Sequence, residues 1–582
     1  MRPGAGRLLL LPALLLVLVP TGAGLLGTLL PAFGLLPTLG HAELGLGPWR
    51  ELLASSGLGR AVLLTLASGV GSTLLALLLA VAIAATQHGR PGERRLRGLL
   101  PILLAVPHAA AAVGFAFLVA PSGLLVRLLA PLLGLDRPPD LATVQDPWAV
   151  ALALALALRE APFLLLVVLV AADRPGLGHR LAAARSLGRP PVAAWLEVAL
   201  PELWSSLRLP VLAVLAYGLS AIEAALVLGP TAPPTLAVLV LRWTSDPDLD
   251  RRLLASAGAL LLLALGLLSI LAGRLLEALL AGIRRVPLRL AAALEAIGRP
   301  AAVLVPAVAL VELALLLAWS VASSWRFPAL LPSGPDFAAW RAALPLLGEV
   351  TSTTALLAAA TLALALPATI AALEAPRSRA TASLLWLPLL LPQLAFVFGL
   401  QLLLIGTGLA ERPTGLVLAH TVWVLPYLWL MLHGSWERFD ERQRAAARCL
   451  GAGPLGTLAR VVLPALARPV LAAAAIGFSV SVAQYLVTLA AGGGRFRTLA
   501  TEAMALVAGG DRRRIGAAAL LLALLPLLVT ALALWLPAML ERGRASSRPP
   551  AQAQLLGRGA NRLSMSSSVK LSPAAPPPST PS

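Results

Sequence analysis

Apolar runs of about 20 residues recur from one end of this chain to the other, and a run of that length with few charges is what a helix needs to cross a bilayer. Hydropathy places six of them near 8–30, 61–85, 99–120, 147–172, 207–229 and 253–272. A second six follow near 301–321, 350–373, 381–406, 414–433, 469–490 and 516–540. Leu and Ala fill these runs without the ten-residue alternation of a membrane barrel, so the spans are helices. Only 13% of the 582 residues are charged, against about a quarter in soluble domains, which excludes a water-soluble globular enzyme. The expected fold class is all-α, a polytopic membrane protein of about twelve helices.

The formal net charge of +19 would suggest nucleic acid in a soluble chain. In a membrane protein its meaning depends on where it lies. With a cytoplasmic N-terminus, the inside segments hold 30 basic residues against 11 acids, and the outside loops 15 against 13. Nearly all the excess is therefore cytoplasmic, which places both termini inside. Lipid headgroups and cytosolic partners account for it, and nucleic acid drops out.

Arg2 and Arg7 ahead of an apolar run resemble the start of a signal peptide. The run continues past Ala23 to Leu30, beyond the 7–15 residues of an h-region, so an uncleaved anchor is expected, with cleavage as the alternative. The Ser/Pro-rich residues 546–582 have too little apolar surface to fold and are expected to form a disordered cytoplasmic tail.

Two long loops expected on the cytoplasmic side are copies of each other. The first runs Ala182, Ala183, Ala184, Arg185, Ser186, Leu187, Gly188, then nine residues, then Val198, Ala199, Leu200, Pro201. The second runs Ala445, Ala446, Ala447, Arg448, Cys449, Leu450, Gly451, nine residues, then Val461, Val462, Leu463, Pro464. The offset is 263, and 10 of these 20 positions are identical, where chance gives about 2. The offset persists from Thr235 and Leu236 to Thr498 and Leu499, while Pro107 and Gly114 match Pro392 and Gly399 at an offset of 285. The chain is thus a parallel duplication, residues 1–285 and 286–545. Each loop reads as a helix, a stop at the glycine, and a second helix leading back to the bilayer. Its small residues admit another protein's surface. Arg180, Arg185 and Arg189, or Arg442, Arg444 and Arg448, can offer charge to it.

At these residues the sequence resembles the binding-protein-dependent ABC importer permeases. Their cytoplasmic signature is Glu-Ala-Ala, three residues, Gly, nine residues, Ile, any residue, Leu-Pro. Ala183, Ala184, Gly188, Leu200 and Pro201 match it in loop 182–201, and Ala446, Ala447, Gly451, Leu463 and Pro464 in loop 445–464. Val198 and Val461 replace Ile, while Ala182 and Ala445 stand where the signature has Glu. The fused two-half layout is similar to the thiamine and ferric-iron type, and nearest to a poorly described branch of it. The resemblance implies that each loop docks into one of two copies of a cytoplasmic ABC ATPase, that an external, periplasmic solute-binding protein delivers the solute, and that the chain resides in a bacterial inner membrane. ATP is then bound by the partner, and no cofactor is expected in this chain. Consistent with that, no Gly-x-x-x-x-Gly-Lys-Ser/Thr loop is present, and the single lysine is Lys570.

Polar residues inside the spans are pathway candidates, because each is costly in hydrocarbon. Arg159 and Glu160 could form a pair lining the pathway, or one bracing the helix at Pro162. Ser220 and Glu223 in the fifth span, and Ser481, Gln484 and Tyr485 in the eleventh, are expected to line the pathway, with interhelical hydrogen bonding as the bland alternative. Glu312 is expected to be structural. The six histidines show no ligand spacing, so no metal site is expected, nor is any catalytic residue. The functional expectation is an ATP-driven import permease working by alternating access. The alternative is a gradient-driven secondary transporter, which has no reason to keep the duplicated loop.

Overall fold

The computed structural model describes residues 8–280, 285–375 and 384–546. Among them the chain is helical, and its β pairing consists of two isolated bridges. The first half comprises α1 (Leu11–Ala32), α2 (Leu58–Gln87), α3 (Pro91–Ala105), α4 (His108–Val119), α5 (Val150–Ala172), α6 (Leu177–Ser186), α7 (Leu200–Ser220), α8 (Glu223–Leu228), α9 (Leu236–Thr244) and α10 (Arg251–Leu280). The second comprises α11 (Leu288–Val321), α12 (Ala338–Glu374), α13 (Leu394–Gly406), α14 (Pro413–Glu437), α15 (Glu441–Cys449), α16 (Ala467–Val482), α17 (Leu486–Gly492), α18 (Leu499–Val507) and α19 (Arg512–Ser546). The expected tail lies outside the described residues from 547 onward.

Ten described helices are long and apolar enough to span a membrane, eleven if Pro454–Ala465 and Ala467–Val482, bent by 83°, count as one. The shortfall from twelve falls on the run expected at 381–406, whose first residues are not described. Leu391, before Pro392, is extended, which leaves α13 only 13 residues. Pro107 does the same in the first half, where Val106 is extended and separates α3 from α4. The residue before a proline is pushed out of the helical region, so each run breaks there.

The fifth span of each half, expected at 207–229 and 469–490, is broken too. α7 ends at Ser220 and α8 starts at Glu223, while α16 ends at Val482 and α17 starts at Leu486. Just before each break a serine hydroxyl donates to the carbonyl four residues back, Ser220 to Ala216 and Ser479 to Ala475, both at 2.8 Å. Such back-bonding loosens and bends a helix.

The first helix of each half crosses to the other. α1 packs on α10 and reaches over to α13 and α14, while α11 packs on α19 and reaches over to α2 and α4. Lipid offers no hydrophobic drive to pull helices together, so close approach of small residues has to hold them. A β-carbon on Gly27 would lie 2.6 Å from the Gly399 α-carbon, so α1 and α13 meet backbone to backbone. At the equivalent contact a β-carbon on Gly114 would lie 2.7 Å from the Glu312 β-carbon. The glycine of α4 thus admits a carboxylate-bearing residue of α11 to the seam between the halves.

The buried residues form two equivalent pairs of clusters. One pair lies in the seams between the halves, around Phe115 and Leu316 and around Phe396 and Trp423. The other lies behind the duplicated loops, around Trp195 and around Trp436. The Thr-Leu repeat also has a structural counterpart. The Leu236 amide donates to the Thr65 hydroxyl and the Leu499 amide to the Thr354 hydroxyl, each at 2.8 Å, which pins α9 to α2 and α18 to α12.

Candidate functional site

The duplicated loops share one backbone geometry. α6 ends at Leu187 and Gly188, where the Gly188 amide donates to Arg185 O at 2.9 Å and the Arg189 amide to Ala184 O at 3.3 Å. α15 ends at Leu450 and Gly451, where the Gly451 amide donates to Arg448 O and the Ala452 amide to Ala447 O, both at 3.0 Å. These are Schellman caps, which require a left-handed residue after the helix. Both glycines supply it with φ of +83°. A π-helical turn follows in each loop, Trp195–Ala199 and Leu458–Val462, and the Leu-Pro pairs lie just beyond it.

This geometry divides the predicted residues. Ala182, Ala183, Gly188, Ala445, Ala446 and Gly451 are exposed, Ala184 is half-buried and Ala447 is buried. Leu200 and Leu463 are half-buried, and Pro201 and Pro464 are exposed on the second helices. Leu455 of the second loop is 81% exposed, and two further side chains that sequence reasoning did not select stand out, Leu187 at 84% and Leu450 at 88%. They are equivalent at the offset of 263, and that equivalence at an apolar position was the available signal.

The arginines divide as well. Arg180 donates to Glu202 at 2.8 and 2.7 Å, and Arg189 to Glu197 at 2.9 Å. Arg444 grips Glu374 at 2.6 and 2.8 Å, and the hydrogen bonds it donates to that carboxylate hold the guanidinium above its ordinary pKa despite part burial. These three brace the loops and are not free for a partner. Arg185 and Arg448, also equivalent, are exposed with no bonded partner among the described residues. Each loop therefore presents two small residues, an arginine and a leucine in matching positions.

The intramembrane polar residues converge at the breaks, with partners other than those expected. Arg159 and Glu160 are adjacent on α5 but bond elsewhere. The Arg159 guanidinium donates to Leu103 O at 2.6 Å, to Leu104 O at 3.1 Å and to Val106 O, carbonyls freed where α3 ends before Pro107. Glu160 Oε1 lies 2.6 Å from His108 Nε2. The pair reading is corrected: the end of a broken helix claims the cation, and a histidine takes the carboxylate. His108, one of the six histidines without ligand spacing, is a member of the cluster. The sign in the sequence was its place after Pro107, matching Gln393 after Pro392.

In the second half Gln393 Nε2 donates to Gln484 Oε1 at 3.3 Å. His420 Nδ1 lies 2.9 Å from Ser481 Oγ, and its Nε2 lies 3.0 Å from Thr488 Oγ1. The Thr488 hydroxyl donates to Gln484 O, so His420 donates through Nε2 and accepts from Ser481 through Nδ1. Ser481 and Gln484 are thus bonded within the second half, and Ser220 to its own helix. Glu223 is half-buried at the start of α8, just past the break that ends α7 at Ser220.

Over 498 residues, 85% of this chain and 91% of the relative, the sequence is 33% identical to the inner membrane ABC transporter permease protein YnjC of Escherichia coli. The chain belongs to the ABC transporter permeases. A second relative, the spermidine/putrescine transport system permease protein PotC of Haemophilus influenzae, is 27% identical over 154 residues, 26% of this chain and 60% of the relative. No family profile matches the chain. The permease is a multi-pass inner-membrane transport subunit in which two halves are joined in one polypeptide. Its duplicated loops and seam polar cluster are its two candidate functional regions.

Proposed function

We propose that this permease is the membrane subunit of an ATP-driven importer. Loops 182–201 and 445–464 each dock into one of two ABC ATPase subunits, whose closure on ATP draws the loops together and opens the cavity between the halves outward. A separate external binding protein releases a small solute into that cavity, and ATP hydrolysis resets it. The positive-inside charge distribution supports cytoplasmic loops and termini. Glu223 and Tyr485, each at the helix break in the fifth span of its half, are the proposed pathway contacts, and Ser220, Ser481, Gln484, Arg159 and Glu160 shape the helix breaks around them.

The observation that carries the proposal is the exposed pair Leu187 and Leu450, set on identical glycine-capped turns. An apolar side chain held in water on a rigid turn, twice in one chain, fits a docking contact in a partner's groove. Cys449, the single cysteine, is exposed beside Leu450 and serves as a natural probe. A maleimide should label it in the free permease, and the label should be excluded when the cognate ATPase is bound. Equal labelling with and without a bound ATPase would contradict docking at this loop.

A further inference from the structure

The duplication gives this chain two seams of the same build, and they differ in chemistry at one place. We infer that the seam formed by α9 and α10 with α13 and α17 holds a binding site for a small amphipathic anion, its acidic head on Arg252 and its hydrocarbon body laid between the halves. The inference concerns this seam alone and is independent of the docking proposal.

A cavity of about 120 Å³ lies there. An apolar cavity of about 150 Å³ accepts benzene, so this one has room for a short hydrocarbon chain. Leu241, Leu394, Val397, Phe398, Leu486 and Leu489 wall it. Thr244 and Ser245 at the end of α9, Arg252 at the start of α10 and Gln401 of α13 bring polar groups to it. The Thr244 hydroxyl is spent on Val240 O at 2.8 Å. Arg252 is not: its Nε is buried without a hydrogen-bond partner, and no ion pair holds its guanidinium among the described residues. The Gln401 side-chain amide is equally uncommitted there.

The duplicate seam is built differently at these positions. There α18 answers α9 at the offset of 263 and α4 answers α13 at 285, while α19 answers α10 at 261, because loop 508–511 is shorter than loop 245–250. Thr244, Ser256 and Gln401 thereby correspond to Val507, Ala517 and Ala116, which pack in the apolar cluster around Phe115 and Leu316. Arg252 corresponds to Arg513, whose guanidinium lies 3.7 Å from Asp511 and 3.9 Å from Asp336. Asp250, the counterpart of Asp511, is taken by His41 at 3.0 Å. One copy thus has an arginine with its counter-charge beside an apolar seam, and the other has an arginine without one beside a polar-edged cavity. A guanidinium carries five donors and no acceptor, so the missing partner is an anion, and its planar fork suits a carboxylate or phosphate. The apolar walls require that this anion carry hydrocarbon, since a bare inorganic ion would leave them uncovered.

The test is calorimetric titration of the permease in phosphatidylcholine nanodiscs, with the signal of empty nanodiscs subtracted, using hexanoate, hexylammonium and hexanol as probes of equal chain length. Hexanoate should bind saturably and the other two should not. Arg252→Gln breaks no side-chain bond among the described residues, so the variant should insert like the parent, yet it should weaken hexanoate binding at least about tenfold, the worth of one charge-assisted hydrogen bond. Arg513→Gln in the duplicate seam should leave binding unchanged. Ala490→Leu, which narrows the cavity without altering charge, should weaken binding several-fold and separates the cavity from a merely electrostatic effect. Phosphatidylglycerol added to the nanodiscs distinguishes two sources of such an anion: undiminished hexanoate binding assigns the site to a free acid, and exclusion of hexanoate assigns it to an anionic lipid. Hexylammonium or hexanol binding as tightly as hexanoate, parental affinity in Arg252→Gln or Ala490→Leu, or no saturable hexanoate binding by a correctly inserted chain in phosphatidylcholine would each overturn the site.

Discussion

Gly188 and Gly451 hold the same backbone conformation, φ +83°, at the same place in two loops related by the internal duplication. Nothing lies within 4 Å of where a β-carbon would sit on either. Space therefore imposes no demand for glycine; the demand is conformational, because the Schellman cap needs a left-handed residue.

Replacing either glycine by valine should cost about 1 kcal/mol or more in local stability, since a branched side chain resists the left-handed region. Asparagine, which tolerates that region, should cost much less. Hydrogen exchange at the Arg189 and Ala452 amides reports the caps directly. Faster exchange in the valine variants and near-parental exchange in the asparagine variants is the expected pattern, and equal exchange in both would remove the conformational explanation.

His108 and Glu160 should behave as a coupled unit, and Arg159 and Glu160 should not. In a double-mutant cycle on thermal stability, Glu160→Gln with His108→Asn should show about 1 kcal/mol of coupling. The cycle of Glu160→Gln with Arg159→Lys should show clearly less. Arg159→Met alone should be the most damaging single change, because it strands three carbonyls at the end of α3 in a low-dielectric setting. Stronger coupling of Arg159 with Glu160 than of His108 with Glu160 would contradict the bond pattern.

The duplication, the helical class and the approximate spans were legible in the sequence, because repeats and hydropathy are carried by local residue identity. The helix breaks were not, since a window of about 20 residues averages through Val106-Pro107 or Ser220-Ala221 without registering that backbone bonds stop there. The destination of Arg159 was invisible for the same reason: its partners are carbonyls, which every residue has and which become available only once α3 has ended. The crossing of α1 and α11 onto opposite halves depends on contacts such as Gly27 with Gly399, and no periodicity in one segment signals a partner so far along the chain.

The knot at the start of α3 should be acid-sensitive. Burial raises the Glu93 carboxyl, but the Gly89 amide and the Arg97 guanidinium, with His88 nearby, outweigh it and hold the carboxyl below its ordinary 4.5. Arg97 also bonds Asp173 at 2.9 Å, tying α3 to the end of α5. A depressed carboxylate adds stability that is fully present above the unfolded pKa and is lost as pH falls through the lower folded value. Glu93→Gln should therefore be less stable than the parent at pH 6, with the gap closing progressively below about pH 4.5. Stability against pH for the two proteins decides it, and a gap that stays constant down to acid denaturation would argue against this ion-pair account.

The most direct test of the docking account is to change Leu187 and Leu450 to glutamate, singly and together, and to measure how much ATPase co-purifies with the permease. Both side chains are almost fully exposed, so the substitutions should leave insertion and thermal stability within about 0.5 kcal/mol of the parent. Each single variant should retain clearly less ATPase, and the double variant should retain none. A double variant that is stable, correctly inserted and still bound to its full complement of ATPase would contradict the assignment of these loops as the docking elements.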